Sequence, residues 1–170
     1  MEWGDVYDEK RRRTGRVHLR GTPWNAGEYG LVVCVWVYDG LGNFLLTRRA
    51  PEKSYAGTWE NSGGMAQAGE DSRTAVAREL FEETGICAEP QAFEFLGSGR
   101  DSCTFYDFYA LKYPFSIDKI KLLPEETDGV MRADYEKIHR MITSGDGTGA
   151  SAGNPVERRR IRACGLRMGV

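Results

Sequence analysis

Apolar residues along this chain fall into short alternating or continuous runs, with helical spacing in two places. Residues 2–8 alternate loosely, 9–16 form a polar turn, and Val17, His18 and Leu19 return, which predicts a β-hairpin. Residues 21–27 (Gly-Thr-Pro-Trp-Asn-Ala-Gly) read as a loop from their turn residues. Residues 31–37 (Leu-Val-Val-Cys-Val-Trp-Val) are rich in β-branched side chains and bounded by Gly30 and Asp39-Gly40, as suits a central strand buried on both faces. After a turn at 39–43, residues 44–47 should pair antiparallel with it. Residues 48–69 read as irregular and glycine-rich. A helix fits 72–84, with Asp71 or Ser72 capping its start and Gly85 supplying the left-handed residue that ends it. Further strands are expected at 93–96 and 103–112, then an amphipathic helix at 133–142 with Asp134 near its start. Residues 144–155 hold four glycines and have the composition of a flexible linker. The expected organisation is one α/β domain over 1–143, then a linker and basic C-terminal segment over 144–170, without internal repeats.

Composition removes several alternatives. At 170 residues, 41% hydrophobic and 28% charged, the chain suits one soluble core. Its continuous apolar run at 31–37 is far short of the about 20 residues that span a bilayer. The acidic, aromatic start Met1-Glu2-Trp3-Gly4-Asp5 does not read as a signal peptide. Cys34, Cys87, Cys103 and Cys164 form no C-x-x-C pair and have no histidine at zinc spacing, so they read as scattered thiols of a reducing cytoplasm. The formal charge is −2, unevenly spread: residues 10–20 hold six cations and no acid, 157–170 hold five arginines and one glutamate, and the body between is acidic. A nucleic-acid binder usually carries its basic excess over the main fold, so solvated ends are expected here and nucleic acid is not the expected ligand.

The helix at 72–84 carries the candidate chemistry. Projected at about 100° per residue, Val76, Leu80, Ala77 and Phe81 fill an arc of about 140°, the expected core face. Glu79, Glu82 and Glu83 fill a separate arc about 100° wide. Glu79 and Glu83 are like charges four residues apart, and neither has a cation three or four residues away; only Glu82 has one, Arg78. Such a face suits either a hard divalent cation or plain exposure to solvent.

The surrounding spacing separates these readings. Gly64, Glu70 and the run Arg78-Glu79-Leu80-Phe81-Glu82-Glu83-Thr84-Gly85-Ile86 match the pattern G-x5-E-x7-R-E-U-x-E-E-x-G-U at every specified position. This resembles the Nudix box, and the likeness extends more loosely over residues 1–143. The resemblance implies an α/β/α sandwich around a mixed β-sheet. It implies Mg²⁺ (with Mn²⁺ as a possible substitute) bound by Glu79, Glu82, Glu83 and the Gly64 carbonyl, with Glu79 or Glu82 acting on water as the catalytic carboxylate. It also implies a Glu70–Arg78 ion pair bracing the loop. A diphosphate repels hydroxide, so the cation neutralises its oxygens and lowers the pKa of bound water, while one carboxylate stays free to take a proton.

Residues 2–8, 14–21, 46–50 and 57–62 resemble the isopentenyl diphosphate isomerase-like branch of that superfamily. A true isomerase needs a cysteine shortly after the Trp-x-Asn-Ser segment and a glutamate on a later strand. Here Ser62 is followed by Gly63-Gly64-Met65, and Ser102-Cys103-Thr104-Phe105 has no glutamate. The expected activity is therefore hydrolysis of a pyrophosphate bond in a nucleoside diphosphate, free or linked to another moiety, with a small-molecule phosphoanhydride as partner. The alternatives are the isomerase and a nucleotide-sensing module without turnover. Arg48, Arg49 and Lys53 read either as phosphate ligands or as a solvated strand end, and Glu125 and Glu126 either as an additional base or ligand or as an exposed acid pair. Trp59 reads as a packed ring or a stacking platform; His18 and His139 have no partners that suggest catalysis.

Overall fold

The computed structural model describes residues 1–53 and 55–144, so the linker, the basic segment and Cys164 lie outside the described residues. A hairpin of β1 (Trp3–Tyr7) and β2 (Arg13–Leu19) precedes a seven-stranded mixed sheet. Its centre is β3 (Gly30–Tyr38), which runs parallel to β8 (Thr104–Lys112); β7 (Glu94–Arg100) continues that side. On its other side β3 meets β4 (Asn43–Arg49) only at Tyr38–Phe44, after which the two diverge. The gap is filled by a short double segment, β5 (Trp59–Glu60) on β4 and β6 (Ser62–Met65) on β3. The side-chain amide of Asn61, between them, donates to the Val35 carbonyl at 3.3 Å. β9 (Thr127–Asp134) pairs with the far edge of β4.

Two helices cover the two faces. α1 (Ser72–Thr84) packs on the odd positions of β3, where Leu31, Val33, Val35 and Val37 are buried with Val76 and Leu80. α2 (Tyr135–Ser144) closes the opposite face, where Trp36, Phe44, Leu46, Ala133 and Ile138 form a second core. The α/β/α layering and the antiparallel hairpin are as expected.

Several boundaries differ. The irregular segment 48–69 contains β5 and β6, whose glycines hide them from a propensity reading. β2 starts at Arg13 rather than Val17, because cross-strand pairing with Tyr7 extends it through polar residues. β7 runs on to Arg100 through Gly97 and Gly99, held by β8. The expected helix start at 133 is the end of β9, a strand the pattern did not suggest; α2 begins at Tyr135, with Asp134 accepting from the Lys137 amide at 2.7 Å.

α1 has the expected ends. Asp71 accepts from the Thr74 amide at 2.8 Å, and Gly85 takes φ 70° while donating to the Phe81 carbonyl. Its buried face differs from the expectation. Phe81 is 55% exposed and Ala77 only half-buried, whereas Ala75, Glu79, Glu83 and Thr84 join Val76 and Leu80 inside. On the projection used above, Glu83 stands close to the middle of that buried arc. The helix therefore turns two of its acids toward the sheet rather than holding them on a separate solvent face.

Candidate active site

β6 makes room for those acids. Gly64 pairs with Val33, so its missing side chain would point toward α1. A Cβ built there would lie 2.5 Å from the Glu79 carboxyl carbon, and one at Gly63 would collide with the Val33 carbonyl. Only a bare backbone lets Glu79 rest on the strand. Glu83 is 5% exposed; Ser62 and the Gly63 amide donate to it, yet its Oε2 has no partner.

Arg78 organises the outer half of the site. It donates to both oxygens of Glu70, at 2.8 and 3.0 Å, to the Met65 carbonyl at 3.1 Å, and to Glu79 and Glu82 at 2.9 Å each. Glu79 thus has a counter-charge that helical spacing did not reveal, because the guanidinium folds back along its own turn. Glu82 is at the exposed rim. A fifth carboxylate, Glu60 on β5, is buried beside them and paired with Arg49 at 2.7 Å. Five carboxylates, Glu60, Glu70, Glu79, Glu82 and Glu83, therefore share two guanidinium groups.

Burial and crowding push Glu60, Glu79 and Glu83 up. Glu79 is raised to about 7, chiefly by burial and against the pull of Arg78. Glu83 lies well above the usual range, from burial first and then from Glu60 and Glu79. Glu60 is raised by burial despite Arg49. Glu70 is held low by Arg78 and the Gln67 amide, which outweigh its burial.

The other candidates sit around this group. Arg49 is bound to Glu60, Arg48 to Asp128 at 2.7 Å with its guanidinium over the Trp59 ring, and Lys53 to Glu126. Trp59 packs on the Trp36 core rather than standing free. Glu126 is close enough to raise Glu60 electrostatically, whereas Glu125 is exposed. Among the described residues, no three His, Cys, Asp or Glu side chains stand together in ligating geometry, and Arg78 holds Glu79 and Glu82. Cys34, Cys87 and Cys103 are free thiols, and Cys103 precedes β8 in a turn rather than lying in the strand.

The sequence reading missed a second feature. A cavity of about 310 Å³ lies against the face of β3 opposite α1 and reaches Gly63 and Gly64. His18, Arg20 and Trp24 wall it, although residues 18–24 carried no chemical signal of their own beyond the aromatic and cationic types. Arg20 pairs with Glu2, and its charge is further stabilised by Glu79 and Glu126.

A divided sheet, a capped helix with buried acids and a glycine strand beneath them define a Nudix-type fold and site. The chain belongs to the Nudix family: the family model, described as NUDIX domain, matches residues 28–146. It is a Nudix hydrolase, from a family acting on pyrophosphate bonds of nucleoside diphosphate derivatives. The chain is 29% identical over 148 residues to the Nudix hydrolase lin0387 of Listeria innocua, covering 86% of this chain and 88% of that one. It is 33% identical over 88 residues to an isopentenyl-diphosphate Delta-isomerase of Halorhodospira halophila, covering 51% and 50% of the two chains. The crystal structure of DR0079 from Deinococcus radiodurans shares the fold, with a TM-score of 0.77 and 23% identity over 96% of this chain and 99% of that one. No helix among the described residues is long and apolar enough to cross a membrane.

Proposed function

We propose that this hydrolase is Mg²⁺-dependent and cleaves the pyrophosphate bond of a nucleoside diphosphate, free or linked to another moiety. Mn²⁺ has the same hard-ligand preference and is expected to substitute. The observation that carries the reading is Glu83 Oε2, an acceptor buried without a donor beside two further crowded carboxylates. Leaving such a group unsatisfied costs about 1–3 kcal/mol, more when it is charged. A dication answers that cost, and oxygen donors are the set it takes. The residues that would hold it are Glu79, Glu82, Glu83 and the Gly64 carbonyl. When bound, it supplies charge neutralisation at the diphosphate and a more acidic water.

The chain's own residues do the rest. Arg78, anchored on Glu70 and Met65, keeps the loop 65–70 against α1 and holds Glu79 and Glu82 at the mouth. Glu79 or Glu82, both held by Arg78 beside that cation, is the carboxylate suited to take a proton from the attacking water. Arg49 and Lys53 are the candidate phosphate contacts, each exchanging a carboxylate partner for substrate, and Glu126 is released as an additional base or ligand in the same exchange. The isomerase reading has sequence likeness in its favour, but Gly63 stands directly after Ser62 and its backbone leaves no space for a side chain.

The test is a screen of the full chain with Mg²⁺ across nucleoside di- and triphosphates, nucleotide sugars, dinucleotide polyphosphates and coenzymes, with isopentenyl diphosphate alongside. Release of phosphate or nucleotide that EDTA abolishes is the expected result. Formation of dimethylallyl diphosphate at a catalytic rate would replace the hydrolase reading with the isomerase one.

A further inference from the structure

We infer that the 310 Å³ cavity is the pocket for the substrate's nucleoside, walled by the rings of Trp24 and His18, with Arg20 receiving the phosphate next to the sugar. The inference rests on the hydrolase reading above and assigns its recognition to residues outside the matched family segment, which starts at 28.

The floor is the even face of the sheet, with Gly30, Val32 and Cys34 of β3 beside Thr104 and Tyr106 of β8. The wall is the chain leaving β2. His18 and Trp24 stack with ring centroids 3.6 Å apart and planes within 13°. Trp24 is seated on bare backbone, since a Cβ on Gly30 would lie 2.7 Å from its ring. His18 Nε2 is 3.2 Å from both the carbonyl and the hydroxyl of Thr22. Both rings are thus fixed before any ligand arrives, so little ordering is left for binding to offset. Packed on each other and still lining the cavity, they offer a base aromatic surface that is already in place.

Size and direction agree. Small-molecule sites run from about 300 to 1,000 Å³, so this cavity takes one base and sugar rather than two. Thr104 and Asn61, with the Arg49–Glu60 pair at the end toward Gly63, give its lining polar groups that a hydrocarbon tail has no use for. Its other end is Gly63 and Gly64, and Glu79 rests on the far side of Gly64. Arg20 lies on that path, already within the field of Glu79 and Glu126. A ring in the pocket therefore places the phosphates that follow it first at Arg20 and then at the carboxylates.

Steady-state kinetics on the full chain test this with a nucleoside substrate from the screen and inorganic pyrophosphate as a competing ligand. Trp24→Ala should raise KM for the nucleoside substrate about tenfold or more, His18→Ala severalfold, and Trp24→Phe should recover most of the loss. The inhibition constant of pyrophosphate, which has no base, should move less than twofold in all three. Equal shifts for both ligands, or an unchanged KM, would overturn the pocket, and a matching loss of isopentenyl diphosphate binding would hand it to a hydrocarbon tail. If the wild-type chain cleaves no pyrophosphate bond, the hydrolase reading fails instead. Tryptophan fluorescence quenched by a nucleoside monophosphate in wild type but not in Trp24→Phe then still decides the pocket, and absence of that difference overturns it.

Discussion

On one side of β3, the carboxylates around Gly64 come from one stretch of chain, residues 60–83, most of them on a single helix and the loop before it, with Arg49 of β4 added as the partner of Glu60. On the other side, the cavity draws on the N-terminal hairpin, the loop after it and two strands far apart in sequence, and meets the first region at Arg49 and Glu60. The first is local and repeats the spacing of its family; the second is assembled by tertiary contacts. Hydrolysis needs dense negative charge at fixed separation, which a helix supplies from spacing alone. Recognition needs a shaped surface, which only the folded sheet brings together.

The largest effect expected on the α1 side comes from Glu83→Gln. It keeps the shape and removes the buried charge, so turnover at saturating Mg²⁺ should fall by roughly 10²-fold or more, as for loss of a group that stabilises the transition state. The thermal midpoint should be kept or raised, because like-charge crowding with Glu60 and Glu79 is relieved. Near-normal turnover would remove Glu83 from the site.

The tie between the hairpin turn and the α1 face should respond differently. Arg11, in the left-handed region at φ 59°, reaches from the hairpin turn to Asp107, which is buried on β8, at 2.5 Å. Ser72 and Ser98 donate to the same carboxylate. Arg11→Ala removes its charge partner, which should cost about 1–3 kcal/mol, and loosens the end of the hairpin. The thermal midpoint should fall, with KM for the nucleoside substrate within about twofold, because Asp107 faces α1 and accepts from Ser72 in its first turn rather than lining the cavity. A severalfold rise in that KM would show that the two sides are not separable.

A third measurement follows the titration of the buried acids without metal. Glu79 titrates near 7 and Glu83 higher, against an ordinary glutamate value of 4.5. Between those values the folded state holds more protons than the unfolded one, so stability is full below about 4.5 and is lost as pH rises through 7. Asp71 and Glu70, held low, act in the opposite sense below that window. In EDTA the thermal midpoint should therefore decline from pH 4.5 to 7, and Glu79→Gln should flatten the decline. A midpoint that rises over the window would contradict the burial assigned to these carboxyls.

Truncation after Ser144 should have the smallest effect, leaving Mg²⁺-dependent hydrolysis within a few-fold, since the crowded carboxylates, Arg78 and the cavity lining all precede it. A rise in KM that grows with the number of substrate phosphates would instead bring arginines 158–160 into the site.

These two sides also mark how far the sequence could be read. The extent and caps of α1, the central strand and the hairpin were legible because their signals are local. The orientation of α1 was not: hydrophobicity assigned Phe81 to the core, whereas glycines at 63 and 64 open space for Glu79 and Glu83 instead. β9 escaped notice because its residues are mixed, and pairing with β4 decides it. His18 looked isolated because its partner, Trp24, meets it only once the chain after β2 folds back on Gly30.

A β-sheet ordinarily acts as an insulating wall, because alternating side chains thicken it on both faces. At Gly63 and Gly64 that wall thins to bare peptide, so a charge on the helix is felt by a molecule lying on the opposite surface. On the proposed reading, reactivity and selectivity occupy adjoining compartments that meet at this window and at Arg49 and Glu60. The compartment at 18–24 can be rewritten by substitution while the helix keeps its carboxylates, and one scaffold can change what it accepts without relearning how to cut.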